Sequence, residues 1–427
     1  MTPPPSPSPS SPERDQAARL LKDWSLKGSL PYDSGDWQNC SGLTREMIWT
    51  CLRHKGALDA WIDHLSRKRP TPELIPFLWI GLCQILLLDG IAEHAAVHET
   101  LEAAKRAGIA SPKIGFANAL LRRTLREGPA LREWMANQSA EIRFSHPEML
   151  IRRWTDQFGA ESTEKILTWN QERSCTYARL TRTGRELRSD LGLPSGSEPY
   201  LREGEKTDFY KLPRGFSPSE LPDFDQGAWY IQDPSTWMAP ALLQCQPGER
   251  VLDACAAPGG KTLLLAEALE DQTEKLLACE PNPLRFERLQ ENLKRLHFEK
   301  VELRCTELSG FSAADQGGFD AILLDVPCSN TGVYQRRPDA KWNFRRKLLT
   351  GLMQLQYQIL EQAAPLLKPG GRMVYSTCSI ESEETTRQMQ NWLGQHPEFR
   401  LDTEKLLLPG KEGCDGAYAA LLRKAAD

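Results

Sequence analysis

The chain has 427 residues, 40% of them hydrophobic, which is enough for two or three domains with their own cores and excludes a small disulfide-stapled scaffold. Its 53 Lys and Arg stand against 57 Asp and Glu, and the net charge of -4 gives no indication of a nucleic-acid or anionic-membrane partner for the chain as a whole. The 11 cysteines are odd in number and never closer than ten residues. We therefore predict no disulfide framework, no metal site and a cytoplasmic location.

The first 139 residues divide into a tail and a helical domain. Residues 1–12 are mostly Pro and Ser, which predicts a disordered tail. Residues 13–139 place apolar side chains at spacings of three and four, the pattern of packed helices. Leu74–Leu88 is the longest apolar stretch, but it is shorter than the roughly 20 residues of a membrane span and predicts a buried central helix. A further helix over Glu93–Ala107 should end at Gly108.

Two local regions are basic although the chain as a whole is not. Leu101–Arg153 has ten basic and five acidic residues, so one face of the helical domain should carry positive charge. Gln335–Lys347 has six basic residues and one acid, interleaved with Trp342 and Phe344. Basic side chains for phosphates beside aromatic rings for base stacking suit the binding of a single-stranded RNA loop, and a solvated charged loop is the alternative.

Residues 140–228 have weaker patterns. Glu148–Phe158 is helical in its spacing, Cys175–Arg182 resembles a short strand, and the remainder is rich in Gly, Pro and charge. These features predict a small mixed α+β subdomain between the helical domain and the rest of the chain.

The pattern changes again in residues 229–427. Short apolar runs alternate there with helical segments, which predicts an open, mostly parallel, doubly wound α/β sheet of the Rossmann type. The predicted strands are Val251–Cys255, Lys275–Glu280, Val301–Cys305, Phe319–Val326 and Arg372–Ser376. Ligands of such sheets bind beyond the carboxyl ends of the strands, and the chemically unusual residues fall there.

The segment VLDACAAPGGKT, Val251–Thr262, is the most informative of these strand ends. It runs from a strand through small residues into a helix, so N–H groups at the turn can meet an anionic or carboxylate group, and Gly259 and Gly260 let a ligand approach closely. Its last three residues are those of a phosphate-binding Walker A loop, but Cys255 stands where the first Gly of that loop belongs. The other interpretation is a methyl-donor nucleotide. Glu280, at the end of the next strand, supports it because a carboxylate there can accept hydrogen bonds from ribose hydroxyls.

Two cysteines, Cys328 and Cys378, follow the last two predicted strands and should reach the same rim of the sheet. Asp325 precedes the first of them, and Lys261 should come within reach, where its charge can lower a thiol pKa and populate a nucleophilic thiolate. Buried cysteines usually act as small hydrophobes, and a disulfide is the remaining alternative. The local pattern favours a catalytic role but does not decide which cysteine is the nucleophile.

Four segments, VLDACAAPGGKT, LLDVPCSNTGV, RRPDAKW and YSTCS in this order, make the C-terminal part resemble the RNA cytosine-C5 methyltransferases of the NOL1/NOP2/Sun family. The helical part resembles the NusB family over LIPFLWIGLCQILLLDGIAEHAAVHETLEAAKR and FANALLRR. Together these resemblances span roughly Glu13–Arg126 and Trp229–Arg423.

The family resemblance implies an S-adenosylmethionine-dependent enzyme that forms 5-methylcytosine in small-subunit (16S) ribosomal RNA through a covalent bond between a cysteine and C6 of the base. By matching positions it implies that Cys378 is the nucleophile, that Cys328 assists product release, and that Asp325 lies between cofactor and base, beside Lys261. The implied cofactor-binding residues are Cys255, Ala256, Ala257, Pro258, Gly259, Gly260, Lys261, Glu280, Thr306 and Asp325. The helical domain would help to bind RNA or a ribosomal partner, and we expect a monomer that binds no membrane.

Two positions depart from the family pattern. Glu280 replaces the usual Asp, and Thr306 stands where the family usually has an Asp near the adenine. Thr306 is the one feature that supports a different function, an RNA-binding ribosome assembly factor whose methyltransferase domain is vestigial. A P-loop ATPase is the third candidate.

Overall fold

The computed structural model describes residues 12–187, 190–270, 272, 275–312, 315–316 and 318–426. Apart from Pro12, the predicted tail 1–12 lies outside these residues. They form two compact units, the first within Met1–Arg173 and Tyr334–Asn343, the second within Ser174–Val333 and Phe344–Asp427. The division falls inside the segment 140–228, because the helices before Arg173 belong to the first unit and the strands after it belong to the second.

The first unit is built from α-helices. Within the described residues they are α1 (Glu13–Lys27), α2 (Gly35–Gln38), α3 (Gly42–Arg53), α4 (Lys55–Leu65), α5 (Ile75–Leu86), α6 (Glu93–Arg106), α7 (Ser111–Ala136), α8 (Ala140–Arg143), α9 (Glu148–Phe158) and α10 (Ala160–Gln171). Ser34 and Ser41 cap α2 and α3, since each side chain accepts a backbone N–H three residues further on. α6 ends one residue before the predicted Ala107, and Gly108 follows it in the left-handed region, at φ 78°.

α5 lies at the centre of the core of the first unit. Leu78, Ile80, Leu82 and Cys83 on this helix are fully buried among side chains of α1, α3, α4, α6 and α7. Burying one Leu or Ile contributes roughly 1.5–3 kcal/mol relative to leaving it exposed, so the apolar run is explained by packing. The prediction of a buried central helix is confirmed. In the part of the chain that the structure describes, no helix is both long enough and apolar enough to cross a bilayer.

The segment Tyr334–Asn343 belongs to the first unit although most of that unit precedes residue 174. Lys341 is fully buried, and its Nζ donates to the carbonyl of Arg53 at 2.7 Å. Trp342 Nε1 donates to the preceding carbonyl, also at 2.7 Å. These two side chains satisfy carbonyls at the C-terminal end of α3, which lack partners inside the helix. The predicted RNA-binding loop over Gln335–Lys347 is therefore wrong for its central residues, because their donors are used inside the helical unit.

A small antiparallel sheet opens the second unit. Among the described residues its strands are β1 (Tyr177–Leu180), β2 (Glu198–Arg202), β3 (Glu205–Lys211) and β4 (Trp229–Ile231), in the order β2-β3-β1-β4, with α11 (Arg182–Leu187) after β1. The strand predicted over Cys175–Arg182 contains β1. The sequence does not predict β2 and β3, because their residues are mostly polar and exposed and show no long apolar run.

The main sheet of the second unit has the strand order β10-β11-β9-β8-β5-β6-β7 among the described residues. Its strands are β5 (Val251–Asp253), β6 (Leu276–Cys279), β7 (Glu302–Arg304), β8 (Phe319–Asp325), β9 (Leu367–Thr377), β10 (Phe399–Leu407) and β11 (Ala417–Lys424). Each pair between β7 and β9 in this order is parallel, whereas β11 runs antiparallel to β9 and β10. The predicted doubly wound, mostly parallel sheet is confirmed, and an antiparallel hairpin extends one edge of it.

Helices cover both faces of this sheet. They are α12 (Met238–Leu243), α13 (Gly260–Ala268), α14 (Pro283–Arg295), α15 (Arg346–Ala363) and α16 (Thr386–Leu393). Alternate strand residues point to opposite faces, so Leu252 and Ile322 pack with α15 and α16 while Val251 and Leu323 pack with α12, α13 and α14. Because apolar packing occupies both faces, a ligand site belongs at the carboxyl ends of the strands.

Candidate active site

The strand order brings the predicted site segments to one edge of the sheet. Since β9, β8, β5, β6 and β7 are parallel neighbours in that order, their carboxyl ends lie side by side. Cys328 follows β8 and Cys378 follows the adjacent β9, while Lys261 follows β5 and Glu280 follows β6. This order depends on the pairing of β5 with β8, which comes three strands later in the chain.

The two cysteines form a close thiol pair. The Sγ atoms of Cys328 and Cys378 are 3.1 Å apart, and both cysteines are free and partly exposed. Asn330 spans the pair, because its Oδ1 lies 3.4 Å from Cys378 Sγ and its Nδ2 donates to the carbonyl of Cys328 at 3.2 Å. The hydrogen bond to Cys328, followed by burial, raises the pKa of Cys378 well above its usual value, and Lys261 opposes this rise without cancelling it. The expectation of a lowered thiol pKa is therefore wrong for the protein in this state.

Lys261 and Asp325 form an ion pair next to the thiols. The distance from Lys261 Nζ to Asp325 Oδ2 is 2.6 Å, and the two side chains are 16% and 32% exposed. Burial would lower the pKa of Lys261, but the carboxylate of Asp325 outweighs it, so the pKa is raised and the ammonium stays charged. The structure thus brings together the charged residues that the sequence places on β8 and on the first turn of α13.

The turn between β5 and α13 has hydrogen-bond donors without partners among the described residues and little side-chain bulk. Gly259, at φ 109°, precedes α13, and no side chain of a described residue caps the helix. A Cβ on Gly260 would lie only 2.9 Å from both Gln232 Nε2 and Tyr230 Cε1, so a larger residue would fill this cradle. Gln232 Nε2 is buried and has no acceptor among the described residues. Uncapped N–H groups and a free amide donor fit the carboxylate and polar groups of a methyl-donor nucleotide.

The rest of this turn is buried or held from behind. Burial raises the pKa of Cys255, which therefore stays a neutral thiol. The small residues that follow it are also buried, namely Ala256 and Ala257. The carbonyl of Pro258 accepts from Asn292 Nδ2 at 2.8 Å, and that of Ala257 accepts from Arg285 at 2.9 Å. Arg285 and Asn292 lie on one polar face of α14, and nothing in their own sequence pattern distinguishes them from solvated residues.

Glu280 and Thr306 lie beyond β6 and β7, on the other side of this turn from β8 and β9. Glu280 is only 2% exposed, and its Oε1 accepts the backbone N–H of Asn282 at 3.0 Å while Oε2 lies 3.4 Å from Arg285. A carboxylate accepts about four hydrogen bonds, so Glu280 keeps capacity for a ligand. Thr306 is partly exposed and donates to the carbonyl of Glu307 at 3.1 Å.

Asp253 is a further carboxyl at this edge that its sequence position does not single out. It is fully buried at the end of β5, and its Oδ2 accepts from Thr262 Oγ1 at 2.7 Å. Burial raises the pKa of Asp253 to about 7, the nearby Asp325 contributes to the rise, and Thr262 and Lys261 oppose it. The carboxyl group of Asp253, at the end of the strand that leads into the turn, therefore has a pKa close to neutral pH.

The fold and the site together define an S-adenosylmethionine-dependent methyltransferase. The model of the 16S rRNA methyltransferase RsmB/F family matches residues 240–423, and that of the NusB family matches residues 11–126. The ribosomal RNA small subunit methyltransferase B of Vibrio vulnificus is 35% identical over 396 residues, which cover 90% of this chain and 91% of that protein. The chain therefore belongs to the ribosomal RNA small subunit methyltransferase B family.

Two solved structures share the fold. PH0851 has a TM-score of 0.77 at 22% identity, covering 97% of this chain and 100% of that one. A methyltransferase homolog protein from Pyrococcus horikoshii has a TM-score of 0.56 at 26% identity, covering 67% of this chain and 97% of its own. The predicted combination of a NusB-like helical region with an α/β methyltransferase domain is confirmed. The expected cofactor, S-adenosylmethionine, is also confirmed, which argues against a Walker A loop, and its placement on the turn after β5 stays a prediction.

Proposed function

We propose that this chain forms 5-methylcytosine in small-subunit ribosomal RNA by adding the thiolate of Cys378 to C6 of the target cytosine. The observation that carries this proposal is the pair of thiols 3.1 Å apart, Cys328 and Cys378, at the ends of neighbouring strands beside an ion pair. Packing needs neither two free thiols in contact nor a charged pair at a partly open edge. The names of the curated relatives supply the substrate, ribosomal RNA of the small subunit.

The chemistry explains why two thiols are useful. C5 of cytosine is a poor nucleophile, but addition of the Cys378 thiolate to C6 moves an electron pair onto C5 and makes it enamine-like. S-adenosylmethionine supplies the methyl group when it is bound. C5 then carries both the methyl group and its original proton. Cys328, next to the new C6–S bond, takes that proton as a thiolate. The C5=C6 double bond then forms again, and the C6–S bond breaks with its electron pair returning to Cys378.

Asp325 and Lys261 would prepare this addition. Protonation at N3 of the base draws electrons toward N3 and favours attack at C6, and the carboxylate of Asp325 can accept a hydrogen bond from the protonated N3. Acid–base assistance of this kind is worth roughly 10²–10⁴-fold in rate. Lys261 would hold Asp325 in place and oppose the rise in the pKa of Cys378. The turn Cys255–Gly260, together with Glu280 and Thr306, would bind the cofactor.

Binding of RNA would use the exposed basic residues of both units. Arg122 and Arg126 are exposed one turn apart on α7, and Arg345–Lys347 are exposed at the start of α15. Such side chains suit phosphate contacts. The target base must leave its stack before a thiolate can reach C6, so we expect a cytosine in a loop or a flipped cytosine to be the substrate.

The test is methylation of unmodified 16S rRNA by Cys378→Ala and Cys328→Ala, with the nucleosides identified by mass spectrometry. Cys378→Ala should abolish 5-methylcytidine and leave no covalent RNA adduct, whereas Cys328→Ala should slow release and accumulate an adduct. Cys305→Ala is the matched control, because this cysteine is exposed and forms no part of the proposed machinery. Full activity of Cys378→Ala, or methylation at an atom other than C5, would refute the proposal.

A further inference from the structure

A buried carboxylate lies directly behind the thiol pair. Glu384 ends a 3-10 helix, Ser382–Glu384, and is fully buried. Its Oε1 accepts from the backbone N–H of Ser329 at 3.0 Å and from Gln356 Nε2 at 2.9 Å. Its Oε2 accepts from the hydroxyls of Ser329 and Ser379, the latter at 2.5 Å. No cation among the described residues pairs with it, so neutral donors alone solvate this carboxylate.

Two of the three donor residues come from the two cysteine loops. Ser329 directly follows Cys328, and Ser379 directly follows Cys378, so one carboxylate oxygen is bonded to the neighbour of each thiol. The two serine hydroxyls are themselves 3.2 Å apart. The third donor, Gln356 on α15, also donates to the carbonyl immediately before Cys328, at 2.9 Å.

Backbone contacts leave these loops little room for other arrangements. The N–H of Gly332 donates to the carbonyl of Cys378 at 2.9 Å. A Cβ on Gly332 would lie 2.6 Å from that carbonyl and 2.5 Å from the carbonyl of Gly416, so a larger residue would push the loops apart. The separation of the thiols is therefore set by the residues behind them.

We infer that Glu384 is a positioning residue for both cysteines, one that fixes the loops of Cys328 and Cys378 to a single point by acting as acceptor for both serines. This inference rests on the proposed function, in which Cys378 adds to the base and Cys328 assists release. A carboxylate only accepts hydrogen bonds, so Ser329 and Ser379 must both point their hydroxyl protons at it, which fixes their rotamers. A glutamine of the same shape would turn an N–H toward one set of donors and break this arrangement.

Three variants separate this role from mere support of the fold. Ser379→Ala removes the bond to the nucleophile loop, Ser329→Ala removes a bond to the release loop, and Glu384→Gln alters both. Formation of the adduct is measured with 16S rRNA transcripts that contain 5-fluorocytidine, which cannot lose its C5 substituent as a proton and therefore traps the complex. Release is measured from the adduct that persists with unmodified transcript. Affinity for S-adenosylmethionine is measured by calorimetry on the same samples.

The expected pattern is a split between two rates. Because small misplacements of a reacting group cost up to about 10²-fold, we expect Ser379→Ala to slow adduct formation about tenfold and Ser329→Ala to slow release about tenfold. Glu384→Gln should slow both steps by about 10²-fold while cofactor affinity and the KM for RNA stay near their wild-type values. The matched control is Glu383→Gln, the same substitution on the adjacent, partly exposed carboxylate, which should leave both rates unchanged.

The outcomes distinguish this inference from the function on which it rests. If the wild-type protein forms no adduct with the fluorinated transcript, the proposed function is refuted, and this inference with it. If the wild-type protein forms the adduct but Glu384→Gln keeps both rates within about threefold, the inference alone is refuted. Loss of cofactor binding in Glu384→Gln, with normal rates in both serine variants, would also refute it, because it would show a purely structural role.

Discussion

Two lysines, the partly exposed Lys261 in the second unit and the fully buried Lys341 in the first, have opposite electrostatic environments. Lys261 lies 2.6 Å from the carboxylate of Asp325, and this pairing raises its pKa in spite of burial. Lys341 is fully buried with the carbonyl of Arg53 as its acceptor, and burial, together with the Arg53 guanidinium, lowers its pKa far below the usual value. No carboxylate among the described residues pairs with Lys341. Both lysines lie in sequence motifs, yet only Lys261 is paired with a carboxylate. The presence of a lysine in a motif therefore does not show that it is a charged residue of the active site.

The two lysines also differ in the role of their side-chain amino groups. Lys261 keeps a positive charge at a partly open edge, where it can act on Asp325 and on the thiol of Cys378. Lys341 donates a hydrogen bond to the C-terminal end of α3, and its aliphatic chain is buried in the helical unit. His146 is fully buried there and His54 is partly buried, and burial lowers the pKa of both, that of His54 to about 3. The helical core thus favours neutral groups, and the sheet edge maintains a charged pair.

The largest expected effect comes from removing the charged lysine. Lys261→Met should lower kcat by about 10³-fold, because Asp325 loses its partner and the pKa of Cys378 rises further without the opposing cation. Lys341→Met, the matched change in the helical unit, should leave kcat within about threefold of wild type. Both are measured by steady-state methylation of unmodified 16S rRNA. An equal loss of kcat in the two variants would contradict the different roles assigned to the two lysines.

The buried carboxyl group of Asp253, in the second unit, should make the stability of the chain depend on pH. Asp253 has a folded pKa of about 7, raised by burial, whereas an unfolded Asp titrates near about 4. Between these values the folded state binds more protons than the unfolded state, so stability falls as the pH rises from about 4 to about 7. Asp253→Asn removes this term and should stabilise the chain by about 2–3 kcal/mol more at pH 8 than at pH 5. Urea denaturation at the two pH values checks this, and a pH-independent difference would contradict it.

Lys341 should give the opposite dependence of stability on pH. An unfolded lysine holds its proton up to about pH 10.4, but folded Lys341 releases it at lower pH, so the unfolded state binds more protons and wild-type stability rises with pH in between. Lys341→Met removes this penalty and should therefore stabilise the chain at pH 7, with the gain shrinking toward pH 10. The carbonyl of Arg53 keeps a second donor, Gln171 Nε2 at 3.3 Å. Denaturation midpoints across this range test the prediction, and destabilisation at pH 7 would show that Lys341 is a stabilising charge.

The two regions also differ in how far sequence could predict them. Strand alternation was enough to expect Cys328 and Cys378 on one rim, because parallel strands end at the same edge of a sheet. The burial of Lys341 was not predictable from its own polar surroundings, since its acceptor lies 288 residues away in the chain. Glu384 was missed for the same reason. It looks like one of several surface acids, and the loop of Ser329, which makes it an anchor, lies 55 residues earlier. Patterns within a segment indicate its structure, but they do not show which distant donor it will meet.

The smallest expected effect concerns the thiol itself. The hydrogen bond to Cys328 is the main reason that the pKa of Cys378 is raised, so thiolate forms only toward alkaline pH and adduct formation should speed up as the pH rises. Cys328→Ala removes that bond and should move the profile to lower pH, while Cys328→Ser, which keeps a polar partner, should move it less. The rate of trapping on fluorinated transcript, followed from about pH 6 to about pH 10, measures the shift. An unchanged profile in both variants would contradict this prediction. It would mean that burial and Lys261, and not the contact between the two sulfur atoms, determine the pKa of Cys378.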